Sequence, residues 1–308
     1  MTISKAEREA MNSYRDYACD LCGSAAAAPI ASAPFYTNGQ AINVCRQCGF
    51  VYVPRRRPAK AIAEVWSDQL FQNEGDMSVT SYSARVPAIK ARQLFVADTI
   101  DTELGLKGKS LCDIGAGEGQ FLAMVKDEYG GRPYGIEPSR RLCAKLTAGG
   151  LENFCGAIED YVESGRTKTG TFDVVTMMWT LECSSAPRDM LKAARDLLKD
   201  GGHVVVATGS RVLVPFKKPL QFYLSPQPVD THCLRFSANS LRAILTVCGF
   251  RITFINRYID QDWLVVIGEK SDDVDVTKWQ GDSFADVLDF FERWHQESQK
   301  HYANYIDT

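Results

Sequence analysis

Residues 110–125 join two apolar runs through three closely spaced glycines. Leu111 to Ile114 reads as a short buried strand. Phe121, Leu122, Met124 and Val125 have the spacing of a helix packed on a sheet. Between them, Gly115, Ala116, Gly117 and Gly119 form a turn that lets a ligand approach the backbone N–H groups of a helix N-terminus. A strand, a glycine turn and a helix make one βα unit, and such a unit buries its strand only inside a larger α/β sheet.

The residues downstream continue the alternation. Arg132–Glu137 reads as a second strand, stopped by Pro138 and ending in an acid 18 residues after Gly119. A carboxylate at that position of a nucleotide-binding fold accepts both ribose hydroxyls. Arg140–Ala148 reads as a helix ended by Gly149 and Gly150. Residues 153–159 read as a third short strand with its turn, and Phe172–Met178 as a fourth. A helix over 188–199 has Asp200, Gly201 and Gly202 as its C-terminal turn, and 203–208 is a fifth strand. Residues 237–248 read as a helix, and 251–258 with 263–269 as a hairpin. The expected fold class is α/β, a doubly wound sheet.

Ahead of this unit stand two CxxC knuckles, Cys19 with Cys22 and Cys45 with Cys48, each followed by glycine and separated by 22 residues. Two intervening residues let both thiolates of a knuckle turn onto one ion, and four thiolates close a tetrahedral Zn²⁺ site with no open position. The expected metal is therefore structural. Residues 17–53 have too little apolar mass to fold without it. Residues 34–36, 41–44 and 49–54 read as short strands of a small zinc ribbon. Ten cysteines without a secretory signal point to thiols and metal, not disulfides.

Four segments result: a zinc ribbon over 1–57, a helical bridge over 58–106, the sheet domain over 107–270 and a C-terminal helical extension over 271–308. In the bridge, 59–66 and 86–100 read as helices and 68–83 as a polar loop. Phe284–Tyr302 reads as an amphipathic helix, docked on the body of the chain or contacting a second copy as a homodimer. The formal net charge of −3 argues against a nucleic-acid partner. Arg55, Arg56 and Arg57 read as a solvated turn before Pro58. The charged N-terminus lacks an apolar h-region, and no apolar run reaches the ~18 residues needed to span a bilayer. The expected location is cytoplasmic, with no membrane span.

The set formed by Asp113 with Gly115, Gly117 and Gly119, by Glu137-Pro138, by Phe172-Asp173-Val174-Val175 and by Leu198-Lys199-Asp200-Gly201-Gly202 resembles a class I S-adenosylmethionine-dependent methyltransferase. The resemblance covers about residues 107–270. It implies a Rossmann-like seven-stranded sheet with its last strand antiparallel, and S-adenosylmethionine as the methyl donor. It also implies that Asp113 helps hold the methionyl end beside the glycine loop, and that Glu137 takes the ribose. Ala157 and Ile158, with Cys155 or Gly156, would then flank the adenine, Pro138 would belong to the cofactor site, and residues 177–182, Met178 and Trp179 among them, would line the wall beside the sulfonium. Tyr82 is placed to reach over the ligand or to pack.

The family often has a Glu-His pair after the fourth strand. Here Glu182 is followed by Cys183, which removes one imidazole. The other expected acceptor-side groups are His232 and Tyr223, in the long aromatic and proline-containing insert 211–236. A ribbon ahead of this fold resembles bacterial sugar, surface-polysaccharide and natural-product methyltransferases. The expected reaction is therefore O-methylation of a small glycosyl or natural-product acceptor. Three alternatives stand beside it. One is an RNA methyltransferase gripping RNA through the ribbon and Arg46, Arg55, Arg56 and Arg57. Another is C- or N-methylation of a nucleotide sugar, and the last is a non-catalytic scaffold.

Overall fold

A computed structural model describes residues 13–64, 79–165, 169–216, 219–224, 232–258 and 263–302. At the N-terminal end β1 (Arg15–Asp16) pairs antiparallel with β5 (Arg55–Arg56). The knuckles lie between them, on a small antiparallel sheet of β2 (Ala27–Pro29), β3 (Asn43–Cys45) and β4 (Val51–Tyr52). Gly23 and Gly49 close the two knuckles at φ 76° and 68°, a left-handed backbone open to glycine at no steric cost.

Pro34, Phe35 and Tyr36 are not a strand. Ala33–Tyr36 is one helical turn with Pro34 in its first two positions, where the fixed φ of proline suits a helix start. Arg55–Arg57 is not a solvated turn either. Arg56 is fully buried and Arg57 nearly so. The Arg56 guanidinium donates to Val53 O (2.9 Å), Asp20 Oδ1 (2.5 Å) and Ser185 O (3.0 Å), and it lies over the Tyr17 ring.

The central sheet takes its strands from β6 (Ser110–Ile114), β7 (Arg132–Glu137), β8 (Glu152–Cys155), β9 (Phe172–Met178) and β10 (Leu198–Thr208). After β11 (Leu234–Arg235), β12 (Phe250–Ile255) and β13 (Leu264–Lys270) complete it, in the order β12-β13-β10-β9-β6-β7-β8. β6 pairs in parallel with both β7 and β9, while β13 runs antiparallel to both β10 and β12. This is the expected seven-stranded sheet with its last strand reversed. Val174 to Met177 and Val204 to Ala207 are fully buried and, Thr176 apart, apolar, as strands covered on both faces require. Because β7 and β9 lie on opposite sides of β6, the chain switches direction there and leaves a crevice beyond the C-terminal ends of β6 and β9.

Two expected boundaries shift. Asp200-Gly201-Gly202 does not terminate a helix. The helix Pro187–Leu197 ends earlier, and these residues form an irregularity inside β10, between the pairs Leu198↔Phe172 and His203↔Val174. The bridge helix spans Val79–Leu104, so residues 79–83 of the expected loop are helical; serine is a weak helix former, not a breaker. The rest of that loop, 68–78, lies outside the described residues. The short helix runs Ala59–Glu64.

The ribbon is stitched into the body. β11, from the insert after the fifth strand of the main sheet, pairs antiparallel with β4 (Leu234↔Tyr52, Arg235↔Val51), and Val53 N donates to Cys233 O. The apolar face of Phe284–Tyr302 is buried within the chain. Val287, Phe291 and Trp294 pack with Ile30, Ile42, Val44 and Val51, and the Tyr36 hydroxyl lies 2.7 Å from His295 Nδ1.

Candidate functional site

The crevice at the switch point is a cleft enclosing about 880 Å³, counting the part open to solvent. Its floor is the glycine turn. Gly115 (φ 81°) lies directly against Thr180, leaving no room for a Cβ, and Gly117 (φ 59°) faces open space. Gly119 (φ 79°) precedes the helix Gln120–Asp127 and lies against Leu146 and Leu151, so it serves packing and does not face the cleft.

Glu137 enters the cleft from the end of β7, only 5% exposed. Gly117 N donates to its Oε2 and Ser139 N to its Oε1, both at 2.8 Å. Burial pushes its carboxyl up, and these two N–H groups oppose the shift. An ionised carboxylate has about four acceptor sites, so each oxygen retains one for a ligand. Asp113 stands behind the turn, off the cleft wall. It is buried, accepts from Thr176 Oγ1 (2.6 Å), and burial pushes its carboxyl up to about 7.

Other expected residues converge on the same cleft: Pro138, Ala157, Ile158, Met178 and Trp179. Ala116 is buried behind the turn. The side chain of Tyr82 lies outside the described residues. Trp179, just past the end of β9, has φ 58°. A bulky residue in that region costs on the order of 1–3 kcal/mol and persists only where its surroundings enforce it.

The three residues expected to handle the acceptor do not line this cleft. Tyr223 is packed with its ring 4.8 Å from Trp294, and burial pushes its hydroxyl up. His232 is half-buried at the entry to β11, where its carbonyl accepts from Arg235 Nη1 (3.1 Å). Glu182 lies in a 3-10 turn, Leu181–Cys183, and is 2% exposed. Burial pushes its carboxyl up to about 7, against hydrogen bonds from Thr208 and from the Glu182 and Gly209 N–H groups and against the Arg92 charge. Cys183 does line the cleft, and burial holds its thiol well above the ordinary range.

Sequence reasoning missed one whole wall. Ala59, Ile62 and Ala63 close the cleft from the bridge. Their i, i+3, i+4 spacing marks one face of a helix, but nothing local says which cavity that face covers.

At the far end, the four knuckle sulfurs lie within 4.8 Å of one another, with Cys19–Cys48, Cys22–Cys45 and Cys22–Cys48 at 3.6, 3.5 and 3.6 Å. Four thiolates ~2.3 Å from one ion would stand about 3.8 Å apart. The cluster fits a metal ion. Arg56 and Arg57 are buried, while Arg46, over the Phe284 ring, and Arg55 are exposed, so only two of the four arginines expected to grip RNA face solvent.

A family model described as a methyltransferase domain matches residues 88–254, more than half of the sequence. The chain belongs to that family, and its sheet is that of the class I S-adenosylmethionine-dependent methyltransferases. Among curated proteins, the ubiquinone biosynthesis O-methyltransferase of Ralstonia nicotianae is 34% identical over 116 residues, 36% of this chain and 48% of that protein. Its namesake in Shewanella halifaxensis is 31% identical over 137 residues, 42% of this chain and 56% of that protein. The chain thus spans about half the length of these curated relatives.

Among solved structures, a Burkholderia thailandensis 1,6-didemethyltoxoflavin-N1-methyltransferase aligns with a TM-score of 0.51 at 16% identity, covering 72% of this chain and 96% of that one. A chain from the complex of the Haloferax volcanii Trm112 methyltransferase activator and a methyltransferase aligns with a TM-score of 0.50 at 17% identity, covering 61% and 94%. Both likenesses concern the fold alone. The relatives correct the expected acceptor. Their names speak of O-methylation in ubiquinone biosynthesis, not of sugars or polysaccharides. Among the described residues, no helix is long and apolar enough to cross a membrane.

Proposed function

We propose that this chain transfers a methyl group from S-adenosylmethionine to a hydroxyl of a small aromatic quinone precursor. The observation that carries the reading is Glu137. Its carboxylate is fixed at the switch point by two backbone N–H groups, with acceptor capacity left on both oxygens. In this reading Glu137 holds the ribose, Gly115 and Gly117 approach the methionyl group, and Pro138, Ala157 and Ile158 flank the adenine. Met178 and Trp179 lie beside the sulfonium. Asp113 acts by bracing the glycine turn through Thr176, and the four cysteines hold a structural zinc.

When bound, S-adenosylmethionine supplies an electrophilic methyl on a good leaving group. The task left to the protein is alignment. Thr180 and Trp179 hold the wall past β9, and the apolar bridge face excludes water. The cleft favours a phenolic over an aliphatic hydroxyl. Cys183 is held protonated by burial, and His232, Tyr223 and Glu182 are not on the cleft wall. A phenol has an ordinary pKa near 10 and needs only modest lowering to react, whereas an aliphatic hydroxyl needs a strong base in contact with it.

Two measurements test the proposal. Calorimetry should show S-adenosylhomocysteine binding at one site per chain. Labelled methyl should then pass from S-adenosylmethionine to a catechol and not to a sugar hydroxyl. Absence of the first eliminates the cofactor site, and methylation of a sugar alone eliminates the acceptor class.

A further inference from the structure

Beside the cofactor cleft, three segments far apart in sequence meet at one cationic and aromatic cluster. Arg92, in the middle of the helix Val79–Leu104, places its guanidinium carbon 4.1 Å from the Trp179 ring centroid and 5.1 Å from that of Trp263. The two indoles meet edge to face, 5.6 Å apart at 88°. Trp263 is seated by Gly209, where a Cβ would run into its ring. Trp179 is shared, for it also lines the cofactor cleft.

Three polar atoms of this cluster are left open. Arg92 Nε, Trp179 Nε1 and Glu182 Oε2 are buried and have no hydrogen-bond partner among the described residues. Folded proteins leave few buried polar atoms in that condition, because each loses its water without replacement. Two are donors and one is an acceptor. Burial lowers the pKa of Arg92, opposed by the charge of Glu182.

We propose that Arg92, Trp179 and Trp263 form the acceptor site and that it takes a planar aromatic acid: a hydroxylated ring bearing a carboxylate. The proposal rests on the methyl-transfer reading and deepens it. A guanidinium matches a carboxylate with two parallel N–H donors, which a neutral ring cannot offer. Indole surfaces match a flat ring. Trp179 joins the two sites, so a ring held there has its hydroxyl beside the end of the cleft assigned to the methyl group. Arg92 is then a specificity residue, and its cation also lowers the pKa of a nearby phenol.

The test uses the full chain saturated with S-adenosylhomocysteine, with 3,4-dihydroxybenzoate and catechol as the two probes. Binding is read from tryptophan fluorescence and methyl transfer from labelled donor. The wild type should bind the benzoate at least about 10-fold more tightly than catechol. Arg92→Leu should abolish that preference, and Arg92→Lys should retain part of it through charge alone. Both variants should keep S-adenosylhomocysteine affinity by calorimetry, which also reports that they are folded. Trp263→Phe should weaken both probes together and leave the preference in place.

If the wild type binds the two probes equally, binds neither, or keeps its preference in Arg92→Leu, the proposal is overturned while cofactor binding stands. If the wild type fails to bind S-adenosylhomocysteine, the methyl-transfer reading falls and takes the proposal with it.

Discussion

The two sides of the cleft are built differently. On the cofactor side, Gly115, Gly117, Glu137 and Pro138 come from two consecutive βα units, and the polar groups of Glu137 and Asp113 already have partners in the protein. On the acceptor side, Arg92, Trp179 with Glu182, and Trp263 come from three separate segments, and three of their polar atoms have no partner among the described residues. One side is a local motif that is complete when the sheet forms. The other exists only after distant segments pack, and it carries unsatisfied groups at a raised energetic cost. The ribbon belongs with the second side. Arg56 holds Ser185 O, and β4 holds β11, whose neighbour Cys233 donates to Cys183 O at 3.8 Å.

Removing metal should break the comparison most widely. The four cysteines organise a segment with little apolar core of its own, and structural zinc contributes on the order of 10 kcal/mol to small metal-dependent folds. Chelation should melt the ribbon and release β11 and the 181–185 turn. Acceptor turnover should fall at least ~100-fold, while S-adenosylhomocysteine affinity changes less than about threefold, since no knuckle residue lines the cleft. Equal loss of both, measured by calorimetry on the chelated protein, would show that the ribbon supports the whole sheet.

Glu137→Ala should do the reverse. Two charge-assisted hydrogen bonds of ~1.5–3 kcal/mol each correspond to a loss of about 100-fold or more in S-adenosylhomocysteine affinity. Binding of an aromatic acid to Arg92, followed by tryptophan fluorescence, should persist. A Glu137→Ala protein with unaltered cofactor affinity would remove the basis for the proposed ribose contact.

The same difference explains what the sequence disclosed. The glycine turn, Glu137 and the CxxC pairs could be read because their chemistry depends on spacing within a few residues, where backbone geometry does the positioning. The seven-stranded sheet with its last strand reversed came with the family resemblance that those motifs carry. Arg92 and Trp263 could not be read. One is an unremarked arginine in a helix, the other an aromatic at a strand start, and only packing brings them to Trp179. His232, Tyr223 and Glu182 were chosen by position in the chain relative to the sheet. That criterion does not say which way a side chain turns. Arg56 shows the same limit, since a run of three arginines reads as solvent-exposed until Asp20 and Ser185 are seen around it.

The smallest expected effect concerns the resting cost of the acceptor side. Burial raises the Glu182 carboxyl from its ordinary 4.5 to about 7. Between those values the folded protein keeps a proton that the unfolded chain has released. The native state then binds more protons than the unfolded state, so stability falls as pH rises through this window. The penalty is absent below the ordinary value and complete above about pH 7. Glu182→Gln keeps the shape and removes the charge. Measured by urea unfolding, it should match the wild type at pH 4 and exceed it at pH 8 by roughly 1–3 kcal/mol. Asp113, also raised to about 7, is present in both proteins, so it cancels from the difference. Parallel stability curves across pH 4–8 would mean that Glu182 is already satisfied at rest, and the two sides of the cleft would then differ in sequence origin but not in energetics.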